Sequence, residues 1–211
     1  MLARSRRRNR RGAATWRTEF GNFDHGAQYF TVQTHAFERT VAQWLQAGVA
    51  KRWPGRIIAV EGASTEDKTA SATRYTGAEG MISIAKHLSE GLDVRLDTRV
   101  GSVVQSGMRW SLLDEAERSP APGGFDAIVL AMPSSQAAQL AGVPPTLVQH
   151  LRMVEWRPCW AALLTLQAAS GFDFAGAFVN DHAALSWVAR ENDESGTERW
   201  VLHATANWTV L

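Results

Sequence analysis

The residues from Phe23 to Thr31 set an acid, an imidazole, a carboxamide and a phenol (Asp24, His25, Gln28, Tyr29) around the pair Gly26-Ala27. The pair removes side-chain bulk just before alternating polar and aromatic residues, so the segment reads as a tight turn feeding a short strand. Of the six histidines, His25 alone stands beside a glycine turn, whereas His203 sits in an apolar strand and reads as a hydrogen-bonded core residue. Arg74 and Glu79 lie on a second glycine-rich stretch, open either to a pocket or to solvent. The sequence contains no HExxH, CxxC, GxSxG or Walker pattern and no GxGxxG. No metal site is expected, a hydrolytic triad is not supported, and the usual phosphate-cradling turn of a dinucleotide fold is missing.

Composition narrows the class. Of the 211 residues, 45% are hydrophobic and 20% charged, with 17 Gly and 7 Pro, which excludes collagen, coiled coil and wholesale disorder. Apolar runs such as Ala127 to Met132 are strand-sized, far short of the ~20 residues a spanning helix needs, so no membrane association is expected. The one cysteine, Cys159, has no internal partner and fits a reducing, cytoplasmic setting. A net charge of +1 conceals an asymmetry: residues 1–17 hold seven Arg and no acid, and the remainder carries 15 basic against 21 acidic residues. The arginine stretch has no apolar h-region and reads as a solvated, disordered tail. Its charge alone would attract polyanions without sequence preference, but with no recognition motif no nucleic-acid partner is expected.

The elements that must position these residues follow from periodicity. Thr34 can cap a helix whose face is Phe37, Val41, Trp44 and Leu45, ended by Gly48. Trp53 to Val60 reads as strand, Glu61 to Thr73 as exposed loop, and a second helix follows Gly80 with Met81, Ile84, Ala85 and Leu88 on one face. The period then falls to two: Asp93 to Leu96, Arg99 to Gln105 and Met108 to Leu113 read as a meander with a hairpin at Ser106-Gly107. The near-continuous apolar run from Phe125 to Met132, closed by Pro133, predicts a strand buried on both faces of a parallel sheet. Short helices follow at Ser134 to Leu140 and Val143 to Val154. The strands between Trp160 and Thr205 should be antiparallel, because their linkers are too short for crossover helices.

Seven segments, FDHGAQYFT (Phe23 to Thr31), RYTGAEGM (Arg74 to Met81), LDTRVGSVV (Leu96 to Val104), FDAIVLAMPSSQAA (Phe125 to Ala138), CWAALL (Cys159 to Leu164), LSWVARE (Leu185 to Glu191) and RWVLHATANW (Arg199 to Trp208), stand in order along the chain. In type and spacing they resemble the renalase-like branch of FAD-dependent amine oxidases. The resemblance implies an α/β plus α+β fold: part of an FAD-binding, Rossmann-like parallel sheet interleaved with an antiparallel-sheet substrate domain. On this resemblance residues 1–17 are tail, 18–30 a flavin-contact segment, 31–75 and 143–211 the substrate domain, and 76–142 the FAD-binding part.

The same resemblance implies FAD as cofactor, with Asp24, His25, Gly26 and Ala27 beside the flavin ring, where small residues let backbone N–H groups approach. It implies Val100 bracketing the adenine, and Ala131 and Pro133 at the carboxyl edge of the parallel sheet. Gln28, Tyr29 and Trp187 are the expected substrate-facing residues, holding a donor carbon against the flavin. The implied reaction moves a hydride from a reduced nicotinamide isomer or an amine, a small-molecule substrate, to flavin and then to molecular oxygen.

The sequence departs from that family at both ends. Relatives open with a strand, a glycine-rich turn and a helix that receives the pyrophosphate; here the arginine tail occupies that place, which a wrong start or an out-of-frame reading would account for. Relatives also continue past Trp208 to a Gly-Asp segment opening a helix aimed at the flavin. The expectation is that this polypeptide by itself binds FAD weakly or not at all, as an inactive truncated remnant would, because the turn that holds the phosphates is missing and the 127–132 strand has lost its neighbour.

Overall fold

The computed structural model describes residues 15–191 and 197–210. In chain order its strands are β1 (Thr15–Thr18), β2 (Gly21–Asp24), β3 (Phe30–Thr31), β4 (Ala50–Arg52), β5 (Ile57–Glu61), β6 (Ser64–Asp67), β7 (Arg74–Gly77), β8 (Ser102–Ser106), β9 (Arg109–Leu113), β10 (Ala161–Thr165), β11 (Gly176–Asn180), β12 (Leu185–Glu191) and β13 (Arg199–Ala204). The helices are α1 (His35–Gln46), α2 (Ile82–Leu88), α3 (Ser134–Ala137), α4 (Pro145–Arg152) and α5 (Ala206–Thr209). Contacts divide the chain into two compact units, one built from the chain up to Gly91 together with Pro158 onward, the other from Leu92–Arg157. Helix α2 falls in the first unit, with the strands that precede it.

In the first unit, β1 and β2 form an antiparallel hairpin with Thr15 opposite Asp24 and Trp16 opposite Phe23. Residues 15–17, read from sequence as the end of the tail, are therefore strand: Thr and Trp favour extended backbone, and β2 supplies the ladder. The rest of the tail, residues 1–14, lies outside the described residues. A second sheet, ordered β3-β7-β4, packs against α1. As the spacing predicts, the Thr34 hydroxyl accepts the Phe37 N–H at 3.3 Å, and Val41 and Trp44 are buried with Ala50 against Phe30, Phe37 and Tyr75. Each such buried side chain contributes about 1.5–3 kcal/mol.

The largest sheet runs β10-β13-β12-β11-β5-β6. Its first four strands are antiparallel neighbours, as their short linkers predict, and β11 pairs parallel with β5, placing Gly176 beside Ile57. A side chain on Gly176 would put its Cβ 2.7 Å from the Trp187 ring and 3.0 Å from that of Trp53, so glycine there lets the two indoles pack over the sheet. The expected strand from Trp53 to Val60 is broken at Pro54-Gly55, where Gly55 takes φ +104°. The expected loop from Glu61 to Thr73 contains β6, an edge strand exposed at every position, which therefore carries no apolar alternation.

In the second unit, β8 and β9 form the expected hairpin, joined through Gly107. The other two strand expectations fail there, while the two expected helices form as α3 and α4. Asp93 to Leu96 is not strand; its Asp93 is instead tied to Arg95 at 2.8 Å. The run from Ala127 to Met132 is not strand either, and Val129 is 88% exposed. A buried parallel strand requires a ladder partner on each side, and no described strand lies alongside this run. The partial Rossmann-like parallel sheet is thus absent among the described residues, and the parallel strand pairing observed is β5 with β11, in the first unit.

Candidate active site

The link between β2 and β3 is closed by one side chain. Gln28, 6% exposed, donates through Nε2 to the carbonyls of Asp24 (2.5 Å) and Gly26 (2.8 Å), and its Oε1 accepts the Trp187 indole N–H at 2.9 Å. Three hydrogen bonds on one buried carboxamide fix the turn and tie it to β12. Tyr29 then stacks on Trp53 with ring centres 5.2 Å apart, Trp187 tilts against both, and Phe178 packs on Trp187 at 4.6 Å. The Arg74 guanidinium lies 5.3 Å from the centre of the Tyr29 ring.

On the other side of this turn stands a buried acid pair. Asp24 accepts the Thr15 hydroxyl at 2.5 Å and the Met81 N–H at 2.8 Å, while its own N–H donates to Glu191 Oε1 at 3.0 Å. Gly80, with φ +94°, admits this arrangement, since a Cβ there would come within 3.1 Å of the Asp24 carboxylate. Burial raises the Asp24 carboxyl above the ordinary range, partly offset by the bonds from Thr15 and Met81. Glu191 is pushed up to about 7, first by burial and then by the neighbouring charge of Asp24.

Asp24, Gln28, Trp53 and Glu191 line a cleft of about 660 Å³ in the first unit. One stretch of its wall is the turn Gly77 to Gly80, in which two glycines flank Ala78 and Glu79, and Arg17, Lys51, Lys86 and Arg199 bring positive charge to the cleft. The volume falls within the range of small-molecule sites. Of the two residues left open by the sequence, Glu79 is exposed on the cleft wall and Arg74 is buried.

The structure brings together the segment from Asp24 to Tyr29 and Trp187. Within it, Asp24 and Gln28 line the cleft, whereas Tyr29 and Trp187 stand behind Gln28 and Trp53 as supports rather than as part of the wall. The His25 carbonyl accepts His203 Nε2 at 2.9 Å; burial lowers the His203 imidazole's proton affinity, in keeping with the core role read from sequence. His25 Nδ1 is buried without a partner, Gly26 is half-buried, and Ala27 is exposed. Val100, Ala131 and Pro133 belong to the second unit: Val100 precedes β8, Ala131 is exposed in the unpaired run, and Pro133 starts α3. Sequence reading passed over Lys51, Trp53 and Glu191. The last had a signal: period two along β12 from buried Trp187 and Ala189 puts Glu191 on the same inward face.

Residues 3–173 match the model of the flavin containing amine oxidoreductases. The chain belongs to that family. Solved structures agree in fold. A putrescine oxidase double mutant redesigned in its cofactor binding superimposes with a TM-score of 0.65 at 10% identity, over 92% of this chain and 67% of that one. A protein provisionally assigned as a protoporphyrinogen oxidase, from Exiguobacterium sp. 255-15, gives 0.65 at 9% identity over 92% and 68%.

The family carries a flavin, and the residues present can be weighed against its parts. The glycines Gly77 and Gly80 on the wall, the turn that Gln28 fixes beside them, and Trp53 stacked on Tyr29 suit a flat, hydrogen-bonding ring. For the pyrophosphate, a glycine-rich turn opening a long helix is not found among the described residues. The fit is therefore to the ring end of the cofactor.

Proposed function

We propose that the chain is an FAD-dependent oxidoreductase whose cleft takes the flavin ring and a small reduced substrate, with a reduced nicotinamide isomer or an amine as hydride donor and molecular oxygen as final acceptor. The observation that carries this reading is the cleft itself, in which the turn locked by Gln28 stands beside the glycines Gly77 and Gly80 and the carboxyl of Glu191. A bound flavin would supply the two-electron chemistry. The protein's share is position: Gln28 holds the turn, Trp187 holds Gln28, and Trp53 shields one side of the cleft from water. Glu191, near neutrality in its proton affinity and on the cleft wall, is placed to hold or release a proton there.

The test is expression with excess FAD, followed by the visible spectrum of the purified chain. On this reading, and against the weak binding that the missing phosphate turn predicts, flavin bands travel with the protein and bleach without oxygen on addition of reduced nicotinamides or amines. A folded, colourless protein would overturn it. That outcome would favour a second reading, an inactive remnant that does not retain FAD, which draws its support from the exposed, unpaired run at Ala127 to Met132.

A further inference from the structure

Trp53 lines two cavities. Besides the large cleft, it walls a smaller one of about 230 Å³ whose other sides include Arg52, Thr69, Thr73 and Arg74. The charges of this small cavity have one sign: two arginines line it and no carboxylate does.

Neither arginine is paired with an acid among the described residues. For Arg74 this is unusual, because the residue is only 8% exposed. Its Nη1 donates to the carbonyls of Lys68 (3.3 Å) and Ala72 (3.1 Å), its Nη2 to the Ser71 hydroxyl (3.2 Å), and its Nε is buried without a partner. The rings of Tyr29 and Phe178 lie 5.3 and 6.0 Å from the guanidinium carbon. Carbonyl dipoles and ring faces stabilise the cation, but they do not neutralise it. Arg56 shows the opposite arrangement: its side chain is 40% exposed and it holds two carboxylates, Asp67 at 2.9 Å and Asp173 at 2.7 Å. The region thus spends its acids on the arginine that water already solvates and leaves the buried one without a counter-ion.

We propose that the small cavity binds an oxyanion, a carboxylate or phosphate group. Arg52 and Arg74 supply the charge, and the Thr73 hydroxyl, which has no hydrogen-bond partner among the described residues, supplies a donor. Buried cations act most strongly where the dielectric is low, and an arginine fork suits the planar geometry of such groups. Because Trp53 is shared, a ligand anchored here lies one indole away from the cleft, which makes the anion a substituent of the cleft's substrate. That last step rests on the proposed function; the anion site does not.

The experiment is calorimetric titration of the full chain, without added flavin, with inorganic phosphate and separately with succinate, at constant ionic strength. Saturable binding of at least one is expected, weakened at least tenfold in Arg52→Glu, which sets a carboxylate on the cavity wall. Arg39→Glu, an equal charge change on the exposed side of α1, should leave binding as it is. Phosphate binding alone assigns a phosphoryl group and succinate binding alone a carboxylate. Absence of binding to either, or equal loss in the Arg39 and Arg52 variants, overturns the proposal. Arg52 is exposed, so its replacement does not put folding at risk. Since the reading needs no flavin, a colourless chain that still binds anions would separate this site's fate from that of the proposed oxidoreductase.

Discussion

Two stretches of the chain carry clear apolar patterns, one on a single helix face and one at every position, and meet opposite fates. In α1, Val41 and Trp44 are buried against β3, β4 and β7, while in the run from Ala127 to Met132 Val129 is 88% exposed. The difference is not hydrophobicity but partnership. A helix satisfies its own backbone and needs only a surface to cover its face, whereas a strand buried on both sides needs ladders to either side before its side chains can be covered at all. An apolar run therefore states a demand, and the fold meets it only where the partner is present.

The largest effect that would sharpen this contrast is Trp44→Ala, expected to cost about 3–5 kcal/mol in denaturant unfolding, because the indole's place would be left as a cavity. A loss below about 1 kcal/mol would show that the α1 face is no better packed than the exposed run, and the comparison would collapse.

Next comes the acid pair, a polar counterpart of the same rule, in which a group is buried with only partial compensation. Glu191 is raised from 4.5 to about 7 in the folded chain. The folded state therefore binds more protons than the unfolded state between those values, so stability should fall as pH rises through this window and stay low above it. The full penalty is on the order of 3 kcal/mol. Glu191→Gln keeps an oxygen for the Asp24 N–H and removes the charge. It should be more stable than the parent at pH 8, about equal at pH 4, and flatter between; parallel pH profiles for the two proteins would remove Glu191 from this account. The raised carboxyl of Asp24 acts in the same direction and should leave a residual slope.

A smaller effect concerns the support of the cleft. Gln28→Leu leaves the Trp187 indole N–H buried without its acceptor and frees the turn at Asp24 and Gly26, at a cost of about 1–3 kcal/mol. Turnover, if the chain binds flavin, should fall with kcat rather than KM, because the residue positions the turn. An unchanged melting temperature would show that the carboxamide is replaceable by packing alone.

What could be read in the sequence follows the same division between local and distant demands. Helix α1 was legible to its cap, and the β8–β9 hairpin to its glycine, because residues within one turn of each other decide both. The antiparallel sense of β10 to β13 followed from linker length, but not their order, in which β10 pairs with β13 rather than with β11. By contrast, the pairing of β5 with β11 joins strands more than a hundred residues apart, and exposed β6 has no pattern to betray it. In the candidate site, the Asp24–Tyr29 segment was legible as a special turn because Gly26-Ala27 lies among polar and aromatic residues. Its lock was not, since Gln28 meets Trp187 only after β12 has joined the sheet. Nor could sequence separate Arg74 from Arg56, which differ in burial and in the two acids brought to Arg56, Asp67 from the adjoining strand β6 and Asp173 from far along the chain.

The smallest expected effect is the most direct test of the opening contrast. Val129→Ser replaces an apolar side chain that already stands in water, so it should change stability by less than about 0.5 kcal/mol. A β-branched hydrophobe in the core would lose several times as much on the same change, through lost burial and an added hydroxyl. If Val129→Ser proved strongly destabilising in denaturant unfolding, the run from Ala127 to Met132 would have to be covered in solution, and hydrogen exchange of its amides would say by what kind of contact. Slow exchange would mean that the backbone has found a ladder partner. Fast exchange would mean that only its side chains are covered. If instead the substitution is neutral and the amides exchange fast, the apolar run is simply unmet demand, and Val129→Ser should also improve solubility by reducing the exposed apolar surface.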